Sequence, residues 1–132
     1  MRVVDASVVL KWLLQELTPK PMTVLQKHLS GEDRLVAPEL INYEVGNVLV
    51  TKTGLRSRDI AEIFGHFSDL EIQTYTLGAE EYRTSLDLAQ RYKLTVYDAS
   101  YLALAAALNI KLVTADKTLA RRASPLGIVQ SI

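Results

Sequence analysis

Cysteine is absent from the 132-residue chain. Disulfides, thiolate zinc sites and cysteine nucleophiles are therefore excluded, and a reducing compartment suits the protein. Histidine is scarce: His28 and His66 are the only two. Each lies beside Leu or Phe on a separate helical stretch without a spaced partner, so neither a histidine-based metal site nor a triad is expected. An excess of one charge is also missing, since 15 Lys+Arg balance 15 Asp+Glu. No global basic field marks a nucleic-acid partner, although a local basic rim around an acidic centre remains compatible with RNA cleavage. Six glycines are present, but they form neither GxGxxG nor GxxxxGK[ST], so no phosphate-cradling loop is expected. No apolar run is long enough to span a bilayer and no leader pattern opens the chain, so no membrane association and a cytoplasmic location are expected. Repeats, low-complexity tracts and Gly/Ser-rich linkers are lacking, which points to one domain over residues 1–132.

What is present is a rhythm of short apolar runs and amphipathic stretches. Residues 2–4 read as a buried strand, and Ser7 is expected to cap a helix running to about Gln15. A second helix starts at Pro19 and Pro21 and ends at Gly31, followed by a strand over 35–37. Pro38 opens a helix in which Ile41, Val45, Val48 and Leu49 form one apolar stripe and Gly54 is the stop. Ser57 opens another helix, and residues 71–75 alternate like a strand. The second half repeats the pattern. A helix spans Gly78 to about Tyr92, an Ala/Leu-rich helix starts near Tyr97, a strand covers 111–116, a short helix 117–124, and a closing strand 127–132. Strands alternating with helices predict an α/β fold with three α/β/α layers and a central, mostly parallel sheet. Ligands in such sheets sit beyond the carboxyl ends of the strands.

Four acids stand in unusual places. Asp5 follows the apolar pair Val3-Val4, and Asp116 follows LVTA, so both belong at the same sheet edge. Asp98 lies in the first turn of the Ala/Leu-rich helix, and Glu44 borders the apolar stripe of its own helix. Each has a plainer reading as a cap or rim residue, because Asp is a common N-cap. Four independent caps are a poor account of the set. Two unit charges ~5 Å apart repel by roughly 3 kcal/mol at an effective dielectric of about 20, against a typical stability of ~5–15 kcal/mol. Convergent carboxylates must then take up protons or bind a cation. Oxygen ligands without Cys or clustered His favour Mg²⁺ or Mn²⁺ over zinc. Such ions acidify water and offset charge on a phosphate, which suits phosphodiester hydrolysis.

The opening VVDASV, Glu44 in PELINYEVGNVL, Asp98 in YDASYLALA and Asp116 in LVTADKTLARRA occur in an order and spacing that resemble PIN-domain proteins of the VapC toxin type. The resemblance covers nearly the whole chain and implies a metal-dependent endoribonuclease that leaves a 5′-phosphate and a 3′-hydroxyl. It also implies that Asp5, Glu44 and Asp98 form the primary metal group, with Asp116 completing the site for one or two Mg²⁺ or Mn²⁺ ions. Ser7, Thr114 and, less directly, Asn47 match polar positions of the family. An RNA substrate, an antitoxin partner and a homodimer are the further implications.

Lys11, Lys117 and Arg121 are candidate phosphate contacts near the acidic edge, weighed against a solvated helix face, which is the preferred reading for Arg122. Trp12 and the tyrosines are candidate base-stacking groups, but Trp12 reads better as core or dimer interface, and Tyr97 and Tyr101 as core. Two rival functions remain at this level. One is a Mg²⁺-binding receiver-like α/β domain, which needs an acceptor Asp at the end of its third strand. The other is a non-catalytic PIN-like binding module that kept its acids.

Overall fold

The computed structural model describes all residues, 1–132. The chain runs β1 (Arg2–Val4), α1 (Ala6–Leu13), α2 (Pro19–Leu29), β2 (Leu35–Pro38), α3 (Leu40–Lys52), α4 (Ser57–Asp69) and β3 (Gln73–Tyr75). It continues α5 (Ala79–Tyr92), α6 (Val96–Leu108), β4 (Lys111–Thr114), α7 (Lys117–Arg122), a 3₁₀ turn (Ser124–Leu126) and β5 (Val129–Ser131). No helix is long and apolar enough to cross a membrane.

The five strands form one sheet in the order β3-β2-β1-β4-β5. Every pairing is parallel, with Val3 opposite both Val36 and Leu112. Central strands of such a sheet are covered on both faces and so read as unbroken apolar runs. Val3, Val4, Leu35, Val36, Ala37, Leu112 and Val113 are all buried, whereas the edge strands β3 and β5 are largely exposed. One helical layer contains α1 to α4, which pack among themselves. In the other, α5 pairs with α6, and α6 lies across β1, β2 and β4. Residues Ala99–Ala105 of α6 are buried without interruption, which explains its Ala/Leu composition: small side chains let it lie close against both sheet and neighbour.

Strand order places the site. From β1 the chain adds β2 and β3 on one side, then returns to add β4 and β5 on the other. The β1/β4 boundary is thus the topological switch point, and a crevice opens there beyond the strand ends. Asp5 is the first residue past β1, and Asp116 is the second past β4.

Several local expectations are corrected. Ser7 does not cap α1. Asp5 does, with its carboxylate accepting the Val8 N–H, and Ser7 lies inside the helix. Thr95, not Asp98, caps α6. Pro38 ends β2 rather than opening α3. The strand expected over 71–75 shrinks to Gln73–Tyr75 because Glu71 takes a left-handed turn with φ 52°. The strand expected over 111–116 stops at Thr114, where Asp116 begins to cap α7.

Candidate active site

Asp5 is delivered to the site by the sheet and held there by side chains. Its backbone N–H donates to Val113 O (3.3 Å), extending the β1/β4 pairing one residue beyond the strand. Its Oδ1 accepts from Ser7 Oγ (2.5 Å), and its Oδ2 accepts from Thr114 Oγ1 in a short hydrogen bond. Ser7 Oγ also accepts the Ala115 N–H (2.9 Å), which ties the start of α1 to the end of β4. Thr114 is fully buried, and its hydroxyl also accepts the Asp116 N–H (3.0 Å), so one hydroxyl links the two strand-end acids. Asp116 spends Oδ1 on the Thr118 and Leu119 amides as the cap of α7. Asp98, in the first turn of α6, has its own amide bonded to Thr95 Oγ1 (3.0 Å), and the same threonine hydroxyl acts to lower its carboxyl.

Glu44 reaches the same place from the middle of α3. Its Oε1 is buried without a hydrogen-bond partner, and so is the Tyr101 hydroxyl. The two face each other without completing a hydrogen bond of ordinary geometry. Tyr101 comes from α6 one turn after Asp98, so both point to one side of that helix.

Asp5, Glu44, Asp98 and Asp116 line one cavity of about 380 Å³, together with Ser7, Asn47, Lys52 and Tyr101. A larger cavity, about 640 Å³, opens near Arg2 at the other end of β1, but its charged lining is largely paired within itself. Unpaired charge, rather than size, therefore singles out the candidate site.

Electrostatics mark the acids as a set. Burial pushes Asp5 up to about 6 against the lowering effect of its Ser7, Thr114 and Val8 hydrogen bonds, with Asp98 adding to the rise. Burial also raises Glu44, and the neighbouring Asp98 charge adds to it, while the Tyr101 hydroxyl acts in the opposite direction. Asp98 is raised by burial and then by the charge of Asp116. Tyr101 is pushed far up by burial and by Glu44, so its phenol stays protonated. Desolvation and like charge both disfavour ionised carboxyls, and their coincidence in a cleft makes these acids a candidate functional site.

The proposed phosphate contacts fare differently. Lys11 pairs with Glu16 (3.0 Å), and neither it, Lys117 nor Arg121 lines the cavity. Arg122 donates to Lys93 O (2.6 Å). The cation that does line it, Lys52, was missed from the sequence. The signal was available, because Glu44, Val48 and Lys52 are spaced four apart along α3 and so share a helix side. Trp12 is buried, and its indole N–H donates to Pro21 O (2.9 Å), which makes it core. Tyr101 is core as well, but Tyr97 is 62% exposed, contrary to expectation. The ring nitrogens of His28 are bonded to Leu70 O (2.7 Å) and to the Leu35 N–H (3.2 Å), a structural use. Nor does β3 end in the aspartate a receiver domain needs, since Tyr75 is followed by Thr76.

The PIN domain family model matches residues 2–125. The chain belongs to that family. Ribonuclease VapC3 of Pyrobaculum aerophilum is 32% identical over 127 residues, covering 91% of this PIN domain and 92% of the relative. The crystal structure of PAE2754 from Pyrobaculum aerophilum superposes with a TM-score of 0.67 at 26% identity, over 92% of this chain and 83% of that one. A toxin–antitoxin complex from Klebsiella pneumoniae gives 0.72 at 16% identity over 99% and 97%, a likeness of fold.

The donor set of this PIN domain fits a hard divalent ion. It is oxygen only, it contains the buried, unpartnered Glu44 Oε1, and three of its carboxyls are raised. As they stand, no three or more of the chain's His, Asp and Glu side chains come close enough together to hold an ion by themselves. A Mg²⁺ held by these acids would need waters to complete its coordination, as that ion prefers.

Proposed function

We propose that this PIN domain is a divalent-metal-dependent endoribonuclease and the toxin of a toxin–antitoxin pair. The observation that carries this reading is the single cavity lined by carboxylates from four separate segments. Asp5, Glu44 and Asp98 would hold the primary Mg²⁺ or Mn²⁺, and Asp116, through the oxygen its cap leaves free, would complete the site. Such an ion supplies acidified water and charge stabilisation at a phosphate.

The chain's own groups prepare the site. Ser7 and Thr114 fix the Asp5 carboxylate in one orientation, and Thr114 couples it to the Asp116 backbone. Tyr101 keeps its proton and can offer it to Glu44 as a hydrogen bond, which restrains that carboxylate without neutralising it. Four carboxylates outweigh one divalent ion, so an approaching RNA phosphate still meets negative charge. Lys52 is the one cation on the cavity wall and answers that excess by binding phosphate. Asn47 adds a neutral donor on the same face of α3. Hydrolysis leaves a 5′-phosphate and a 3′-hydroxyl. An antitoxin that covers the cavity, assembly with a second copy and action in the cytoplasm belong to the same reading. The name of Ribonuclease VapC3 and the toxin–antitoxin fold relative support it.

The test is cleavage of single-stranded RNA by the wild type and by Asp5→Asn, with Mn²⁺ and with a chelator, followed by mapping of the ends. Cutting that requires the metal and is lost in the variant is the expected result. Equal cutting by both proteins overturns the reading.

A further inference from the structure

A second cavity, about 240 Å³, lies at the same sheet edge, beyond the ends of β2 and β3. Its walls are Tyr75, Tyr82 and Tyr97 together with the aliphatic Pro38, Leu40, Leu77 and Val96, and its polar groups come from Glu39, Thr76 and Ser100. The first turn of α6 separates it from the acidic cavity: Asp98 faces the acids, while Tyr97, adjacent in the chain, lines the tyrosine cavity. Tyr82 and Tyr97 are 54% and 62% exposed, large aromatic faces left to solvent. The volume is below the roughly 300–1,000 Å³ of drug-sized pockets, so it suits one flat ring system.

The polar groups give that ring a chemistry. Glu39 occupies the N-cap position of α3 but makes no side-chain cap bond, and it takes part in no ion pair. Its Oε2 accepts from Thr76 Oγ1 (3.2 Å), which orients the carboxylate. The Ser100 hydroxyl is spent on Tyr97 O (2.6 Å), which braces the turn that carries the exposed ring. What remains is an exposed, acceptor-only carboxylate, held by one hydroxyl, beside aromatic faces. Among nucleobases, guanine presents two adjacent donors on its pairing edge, N1–H and N2–H, and a carboxylate matches them as a pair. Single-stranded bases splayed from the backbone are read by this combination of stacking and edge contacts.

We infer that the cavity lined by Tyr75, Tyr82, Tyr97 and Glu39 is a nucleobase subsite that stacks a base flanking the cleaved bond and selects guanine through Glu39. This rests on the ribonuclease reading of the neighbouring acids. Replacing Glu39 by Gln turns the acceptor pair into one donor and one acceptor, which no longer matches guanine. Replacing Tyr97 by Ala removes a stacking face, whereas Phe retains it.

Two measurements on the full chain separate the subsite from the hydrolysis. In the first, uridine-rich single-stranded RNAs carrying one guanine or one adenine are cut in Mn²⁺ by the wild type, Glu39→Gln, Tyr97→Ala and Tyr97→Phe. The wild type is expected to cut at a fixed offset from guanine. In Glu39→Gln the guanine-over-adenine ratio falls by at least about fivefold, the low end of what a bidentate base contact supplies. Tyr97→Ala raises KM for both RNAs, and Tyr97→Phe restores it. In the second, the ring resonances of Tyr82 and Tyr97 are followed in chelator on adding the guanine or the adenine tetranucleotide, and guanine is expected to shift them at lower concentration. Guanine-selective shifts in a protein that cuts neither RNA would keep the subsite and remove the hydrolysis. Cutting without base preference, unchanged in Glu39→Gln and with still ring signals, would overturn the subsite and keep the nuclease. A change from dimer to monomer in Tyr97→Ala, with RNA selectivity intact, would also overturn it, because the tyrosines would then belong to an interface between copies.

Discussion

Asp33 and Asp5 stand at opposite ends of the central strands and have opposite fates. Asp33, just before β2, receives the N-terminal ammonium at 2.8 Å and Arg2 Nε at 2.5 Å. Burial acts to raise its carboxyl, but these partners outweigh it and hold the group below the usual carboxylate range. Close by, Glu32 pairs with Lys27 at 2.8 Å. At the other end, Asp5 has hydroxyl and amide donors but no cation, and its carboxyl is driven up. Glu44 and Asp98 are driven up beside it. One end of the sheet uses acids to close its own charge, and the other leaves them open. Acids whose ionised form burial and like charge disfavour, gathered in one cleft, mark a candidate functional site.

The largest expected contrast is in activity. Asp5→Asn should lower RNA cleavage by about 100- to 1,000-fold, the range seen when a group acting on the reacting phosphate or carbonyl is removed. Asp33→Asn should leave it unchanged. Cleavage rates of the two variants on one RNA check this, and equal losses would erase the distinction between the two ends.

Stability against pH gives the next contrast, with opposite signs at the two ends. Asp5 binds its proton more tightly in the folded state, near 6, than the ordinary value of 3.8. Folding of the metal-free protein should therefore weaken as pH rises from about 4 to above 6, by about 3 kcal/mol from this group. Glu44 and Asp98 act in the same direction. Urea unfolding in chelator across that range checks it, and Asp5→Asn should flatten the slope. Asp33, with its lowered carboxyl, contributes stability that is present above its unfolded value and lost as pH falls through its folded value. Asp33→Asn should cost about 1–2 kcal/mol at neutral pH, as a charge-assisted hydrogen bond is lost.

The smallest effect concerns Lys52. Lys52→Ala should weaken RNA binding in chelator several-fold and reduce the salt slope of log K by about one phosphate contact. Lys52→Arg should retain the slope. An unchanged slope in Lys52→Ala would return the phosphate role to Lys117 and Arg121.

Most of the acidic end was legible in the sequence because apolar neighbours betray it. Val3-Val4 before Asp5 and LVTA before Asp116 fix both as strand ends, and parallel pairing brings them to one edge. The helical stripe around Glu44 and the Ala/Leu run after Asp98 mark two more acids at the border of burial. Other features depend on packing between distant elements and leave no local trace. Glu44 and Tyr101 meet only because α3 and α6 pack at one sheet edge, and it is packing that brings Lys52 to the cavity while Lys11 pairs with Glu16. The exposure of Tyr97 was misread because its neighbours in YDASYLAL are buried, although it lies on the opposite side of the first turn of α6. The cap of α1 was misassigned to Ser7, and the plainer cap reading of Asp98 fails, for a similar reason. Ser7 and Asp98 both have cap chemistry, but Asp5 and Thr95 occupy the extended backbone positions where a cap bond forms.

The central claim is that the open end of the sheet is completed by a divalent ion. Mn²⁺ titration at neutral pH, read as the thermal midpoint of the wild type, Asp5→Asn and Asp33→Asn, tests it most directly. Binding to the folded state alone stabilises by about 2.7 kcal/mol at a hundredfold excess over Kd. The wild type and Asp33→Asn should therefore show a saturable rise that Asp5→Asn lacks. An equal response in all three proteins, or none in the wild type, would contradict the account.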